Sequence, residues 1–405
     1  MGAGPLRQQV KASEVAEARS RLVWSEREQD EERAMPERTT PPFRADHVGS
    51  LLRPPALLAQ RERRRRGEIT AEELRRAEDA AIREVVALQE EIGLPVVTDG
   101  EFRRTLWHMD FLTQFANVAV ARSAVKVNFH TATGDIQREP SALRITGRLA
   151  RPHPIFVNHF AFLKSVARAV PKLTIPSPSI LHFRGGRAAI DAQAYPEMDE
   201  FYADLGRVYS QEVRDLAAAG CRYLQIDEVN FAYLCDPKMR SEVQNIGEDP
   251  GTLPHTYARL INAAIATRPS DMTVSMHLCR GNFEGAWLAE GGYEPVAEIL
   301  FNEIDVTGYF LEYDSERAGS FAPLRFVPKG KTVVLGLVTT KSGVLETKDV
   351  LKRRIDEAAK FLPLDQLALS PQCGFASGER GNALTVAEEI AKLELVVEVA
   401  REVWG

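Results

Sequence analysis

Only four cysteines occur among the 405 residues, Cys221, Cys235, Cys279 and Cys373, too few to staple a chain of this size with disulfides. Reduced thiols, and with them the cytoplasm, are the expectation. No apolar run approaches the roughly 18 residues that cross a bilayer, and the N-terminus lacks the charged-then-apolar layout of a secretory signal. An excess of basic charge is missing as well. With a net charge of −6 the chain has no overall attraction for nucleic acid or an anionic membrane surface. What remains is an ordinary globular composition, 44% hydrophobic and 27% charged, long enough for two domains or one large barrel.

Residues 1–40 are polar, with SEREQDEERAMPERTTPP running into a proline pair, and read as a poorly ordered extension outside the core. Met35 stands before a natural-looking start. From 41 to 405 a single domain is expected, built of strands alternating with helices. Buried-type strands are predicted at Phe43–Ser50, Leu94–Glu101, Leu173–Ile175, Tyr223–Glu228, Val274–Cys279, Val306–Glu312, Val333–Val338 and Leu367–Ser370. A capping box at Thr70–Glu73 opens a helix with the apolar stripe Leu74, Ala77, Ala81, Val85, Leu88, Ile92, and Gly93 ends it. Further helices are predicted over about 197–219, 254–267, 348–360 and 384–402. Alternation in Val125–Phe129 and Leu143–Thr146 predicts a β-hairpin excursion after the second strand. The arginine run Arg61–Arg66 reads as a solvated face. Eight strand–helix units with right-handed crossovers close into an α/β fold of the (β/α)8 TIM-barrel type; a doubly wound open sheet would gather polar groups mainly at one switch point.

Chemistry-bearing residues stand at the C-terminal ends of these strands. His277 and Cys279 are two apart on one strand and so share a face. Alone the pair matches a buried cysteine beside a core histidine. Two more strand ends each add a candidate ligand, Glu312 and Cys373, and an N/S/O set of this kind suits zinc. Ser50, Glu101 and Asp227 stand at other strand ends, although Ser50 also suits a helix cap. Asp227 and Glu228 are neighbours and face opposite ways, so one enters the barrel and the other is expected to pair with Arg or Lys. Cys221 and Cys235 read as buried thiols, and His47, His108 and His182 as core or surface residues.

With those residues in hand, the chain resembles the catalytic barrel of cobalamin-independent methionine synthase, and more closely its single-barrel relatives, over about residues 43–400. The motifs are H-V-G-S, D-G-E-F, Q-I-D-E, H-L-C, L-E-Y-D and P-Q-C-G, in order along the strand ends. The resemblance implies a catalytic zinc on His277, Cys279, Glu312 and Cys373, with Asp314 and Glu316 as alternatives for the carboxylate because the alignment needs a short gap. It implies that Gly49 and Ser50 grip a substrate carboxylate, and that Glu101 and Asp227 grip its amine. Two departures stand out. The second, N-terminal barrel of the full enzyme, which helps bind polyglutamylated folate, has no counterpart here. The family's proton-donating His after strand seven is replaced by Gly336–Ser342, with Lys341 at the nearest equivalent place.

The implied activity is zinc-dependent alkylation of a thiol, with homocysteine and a methyl donor (folate or another carrier) as partners and methionine as product. Asp227 and Lys341 are then the catalytic candidates. A free thiol is mostly protonated near pH 7, and metal binding removes its proton. A second enzyme reading is opening of an epoxide by coenzyme M, whose sulfonate has no amine for Glu101 and Asp227 to hold. A third, from another class, is a non-catalytic zinc- or thiol-binding protein.

Overall fold

A computed structural model describes residues 38–122, 127–131, 134–138 and 141–405. Most of the expected N-terminal extension, Met35 included, lies outside the described residues, as do Val125 and Lys126 of the expected hairpin. In chain order the strands are β1 (Val96–Val97), β2 (Ala116–Arg122), β3 (Val127–Thr131), β4 (Gly134–Arg138), β5 (Ser141–Ala150), β6 (Val170–Pro176), β7 (Tyr223–Glu228), β8 (Thr273–Leu278), β9 (Gly308–Glu312), β10 (Thr332–Val338) and β11 (Leu367–Pro371). The strands β1, β6, β7, β8, β9, β10 and β11 pair side by side in that order, every pair parallel. All seven residues of β10 are buried, as strands covered on both faces must be. Each large aliphatic residue so placed contributes roughly 1.5–3 kcal/mol.

The segment from Phe43 to Leu51 closes the wall. On one side Asp46 N donates to Leu369 O at 3.0 Å and Leu369 N to Arg44 O at 2.8 Å, bridging Ala45 to β11 in parallel. On the other, Thr98 Oγ1 donates to Gly49 O at 2.6 Å and Leu51 N to Gly100 O at 3.1 Å. Seven strands and this segment make the (β/α)8-type barrel that the strand–helix rhythm predicts. The first expected strand is nevertheless reduced to one bridge. The Asp46 carboxylate accepts from His47 N at 2.8 Å and Phe43 N at 3.3 Å, and Gly49 sits at φ +138°. Local side-chain bonding and a left-handed glycine thus displace the regular ladder.

The helix Ala71–Ile92 has its capping box at Thr70 and Glu73 and ends at Gly93, φ 90°. Its buried face is Glu78, Ala81, Ile82, Val85, Val86 and Gln89, while Leu74, Ala77 and Leu88 are only half-buried. The face is rotated from the expected stripe because the Gln89 amide is drawn inward. It donates to Thr98 O and accepts from Thr98 N, both at 2.9 Å. Arg61 also departs from expectation. It lies on the helix Pro55–Arg65, is buried, and is bonded to Glu78 at 3.2 Å and to Phe102 O, and so ties its helix to Ala71–Ile92 and to the loop after β1.

The excursion after the second barrel strand holds two antiparallel pairs, β2 with β5 and β3 with β4, rather than one simple hairpin. It folds over the C-terminal mouth. His130 N donates to Trp287 O at 2.7 Å, Trp287 N to His130 O at 2.9 Å, and the Phe129 ring lies 5.2 Å from Phe283. Among the described residues no helix is long and apolar enough to cross a membrane.

Candidate metal and substrate site

Strand geometry delivers the four candidate ligands to one place. His277 lies in β8, Cys279 just beyond it, Glu312 ends β9, and Cys373 follows β11. All four are buried, and one donor atom from each falls within 4.8 Å of every other. The sulfurs of Cys279 and Cys373 are 3.5 Å apart. Glu312 Oε1 accepts from Arg280 N at 2.9 Å, and Oε2 lies 3.6 Å from Arg317 Nη2. Asp314, the alternative carboxylate, is engaged with Arg317 at 2.6 Å, and Glu316 begins a short 3-10 turn. The carboxylate of the cluster is Glu312.

Electrostatics fit a cation at the centre. A hydrogen bond from Cys373 pulls the Cys279 thiol down to about 5 against the cost of burial, with His277 adding to it, and the same contact pushes the Cys373 thiol up. Burial alone would push the Glu312 carboxyl up, but the charges of Lys341, Arg317 and His277 hold it below the usual range. The ring nitrogens of His277 and Oε2 of Glu312 are buried without a hydrogen bond of normal geometry among the described residues. Two sulfurs, an imidazole and a carboxylate, two of these groups left short of partners, form a donor set that fits zinc.

The same small cavity is lined by Ser50, Glu101, Asp227, His277, Cys279, Cys373 and Gly374. Ser50 is fixed by the last loop: Phe375 N donates to Ser50 O at 2.9 Å and Ala376 N to its Oγ at 3.4 Å. Gly374 permits that approach, since a Cβ there would fall 1.9 Å from Ser50 Oγ. Glu101, held at φ 61°, turns its carboxylate inward; Oε1 accepts from Thr174 Oγ1 at 2.7 Å and pairs with Arg104 at 3.2 Å, while Oε2 is buried without a partner among the described residues. Asp227 Oδ1 accepts from Gln225 Nε2 at 2.7 Å. Burial, and then the charge of Glu101, push the Asp227 carboxyl up to about 7.

Lys341, in the loop after β10, is half-buried, and its charge is felt at both Glu312 and Cys373. Glu228 points away from the cavity, as alternation requires. Its partners are Ser179 Oγ at 2.6 Å and the amides of Asn230 and Phe231 rather than the expected Arg or Lys, because the next chain segment supplies donors closer at hand. Cys221 and Cys235 are buried free thiols. His182 is a core residue between Tyr257 and Tyr202. His108 lines an adjoining cavity of about 270 Å³ with Trp107, Phe129, Tyr233, Asn282, Phe283 and Cys279. Sequence reasoning missed Arg104 and Thr174, the partners of Glu101. The R-R directly after G-E-F was the available signal for the first; the second depends on β6 lying beside β1.

The family model for "Cobalamin-independent synthase, Catalytic domain" matches residues 43–402. The Bacillus subtilis protein YxjH, itself uncharacterised, is 46% identical over 366 residues, which are 90% of this chain and 95% of YxjH. A crystal structure from Listeria monocytogenes, provisionally described as a vitamin-B12-independent methionine synthase, superposes with a TM-score of 0.70 at 38% identity, covering 91% of this chain and all of that one. The 5-methyltetrahydropteroyltriglutamate–homocysteine methyltransferase of Thermotoga maritima is 24% identical over 340 residues, 82% of this chain but 41% of that longer protein. The barrel, the strand-end motifs and these matches agree: the chain belongs to the cobalamin-independent methionine synthase family, a family of methyltransferases, as a catalytic-domain member.

Proposed function

We propose that the chain is a zinc-dependent thiol alkyltransferase whose reaction is methyl transfer to homocysteine, giving methionine. The observation that carries this reading is a shared cavity, in which His277, Cys279 and Cys373 of the four-residue ligand cluster face Glu101, Asp227 and Ser50. Relatives named as homocysteine methyltransferases support the substrate class. Residues 41–405 act as one catalytic barrel, and four free thiols fit the reducing cytoplasm.

Zinc held by His277, Cys279, Glu312 and Cys373 would supply a deprotonated thiol at neutral pH. The chain's own residues do the rest. Gly49 and Ser50 receive the amino-acid carboxylate. Glu101 Oε2 and Asp227 receive the ammonium, and Arg104 offsets one of their two negative charges so that the pocket matches a single cation. The adjoining cavity, roofed by Phe129 and Phe283, seats the methyl donor and keeps water from the sulfur. As the sulfur–methyl bond forms, the bond from methyl to its carrier breaks. The electron pair stays on the carrier, which then takes up a proton, and Lys341 is the candidate group for delivering it. The test is a thiol-alkylation assay on purified protein, offering homocysteine and coenzyme M against methyltetrahydrofolate, methylcobalamin and a small epoxide. Methionine formation with at least one methyl donor is expected. Alkylation of coenzyme M alone overturns the substrate, and no alkylation of either thiol overturns the function.

A further inference from the structure

Arg53 follows the Gly49–Ser50 turn and is buried. Among the described residues its guanidinium makes four hydrogen bonds, every one to a main-chain carbonyl at a strand-end loop. Nη2 donates to Glu101 O at 2.8 Å and Arg104 O at 2.9 Å, in the loop after β1. Nη1 donates to Gly378 O at 3.1 Å and Ala376 O at 3.3 Å, in the loop after β11. The first loop bears Glu101, whose backbone is left-handed, a conformation non-glycine residues adopt only when their surroundings enforce it. The second follows Cys373 and Gly374, and Gly374 stands against Ser50.

One planar fork therefore spans the loop that carries the amine-facing carboxylate and the loop that carries a candidate metal ligand. A lysine presents three donors around one point and lacks the fork needed to hold four carbonyls on two segments. We propose that Arg53 is a positioning residue that sets the separation of Glu101 from Cys373, and so makes binding of the substrate's amine and of its sulfur a single fit. This rests on the homocysteine reading for the identity of the ligand, but the tie between the loops stands on the geometry alone.

The experiment compares Arg53→Lys and Arg53→Gln with the unsubstituted chain, each zinc-loaded. The first readout is amide hydrogen exchange. Segments 99–104 and 374–382 are expected to exchange about tenfold faster together, with β7 and β8 unchanged. The second is affinity for homocysteine against its des-amino analogue, 4-sulfanylbutanoate. The preference for the amine is expected to fall by about tenfold while zinc content is kept. A merely structural arginine would weaken both thiols alike, and that result, or unchanged exchange in either loop, overturns the proposal. Equal affinity of the unsubstituted chain for the two thiols refutes the amine pocket instead, and the exchange data alone then decide the role of Arg53.

Discussion

The sulfurs of Cys279 and Cys373 stand 3.5 Å apart although 94 positions separate the two residues in the chain. Nothing local brings them together. One follows β8 and the other follows β11, and closure of the sheet sets both on the same rim. Two thiols so placed sit beside an imidazole and a carboxylate, a set that a soft-leaning divalent cation completes.

The first expectation concerns that cation. Purified protein should carry about one zinc per chain by elemental analysis, and Cys373→Ser should lose most of it. Full retention of zinc by the serine variant would remove Cys373 from the ligand set.

The amine pocket predicts a preference between thiols. Glu101 Oε2 is buried without a hydrogen-bond partner among the described residues, and Asp227 shares the cavity. Losing the substrate's amine should cost about 1.5–3 kcal/mol of binding, as for a charged hydrogen bond. Titration calorimetry with homocysteine and 4-sulfanylbutanoate measures it. Coenzyme M, a sulfonate facing these carboxylates, should bind more weakly than either.

The barrel was legible in the sequence because parallel strands covered on both faces read as apolar runs, and Val333–Val338 is one of them. The H-x-C pair was legible for the same reason: a strand's two-residue period puts His277 and Cys279 on one face. What escaped depends on contacts distant in sequence. Asp46 accepts from the His47 amide and also from Lys172 and Tyr223, which come from other strands, and the regular first strand gives way there; the partners of Glu101 are Arg104 and Thr174, the second of which arrives only with β6. Arg61 looked solvated because its acceptors, Phe102 O and Glu78, come from other elements.

Donor choice follows from the loop after β10. General-acid help to a departing group is worth about 10²–10⁴ in rate. If Lys341 in that loop is the group that delivers the proton, its high ordinary pKa predicts that methyltetrahydrofolate is a slow or inactive donor. A carrier with a better leaving group should turn over faster. Rapid turnover with methyltetrahydrofolate, undiminished in Lys341→Ala, would refute this role of Lys341.

Glu389 gives the fold a pH dependence. It is buried on the helix Val386–Trp404, where it accepts from Leu52 N at 2.8 Å, and burial pushes its carboxyl up to about 8. A carboxyl raised above its unfolded value of 4.5 contributes stability that is fully present below pH 4.5 and is lost as pH rises through about 8. Denaturant titrations should therefore show stability falling across that window by on the order of a few kcal/mol, and Glu389→Gln should flatten the slope. An unchanged slope in the glutamine variant would assign the pH dependence to other groups.

The central claim, a zinc that takes the substrate's sulfur in this cavity, is tested most directly by zinc X-ray absorption on the purified protein with and without homocysteine. Two sulfur neighbours, from Cys279 and Cys373, are expected in the free protein. Addition of homocysteine should raise the number to three. A zinc whose sulfur count stays at two in saturating homocysteine, or a protein that holds no zinc at all, would contradict the account.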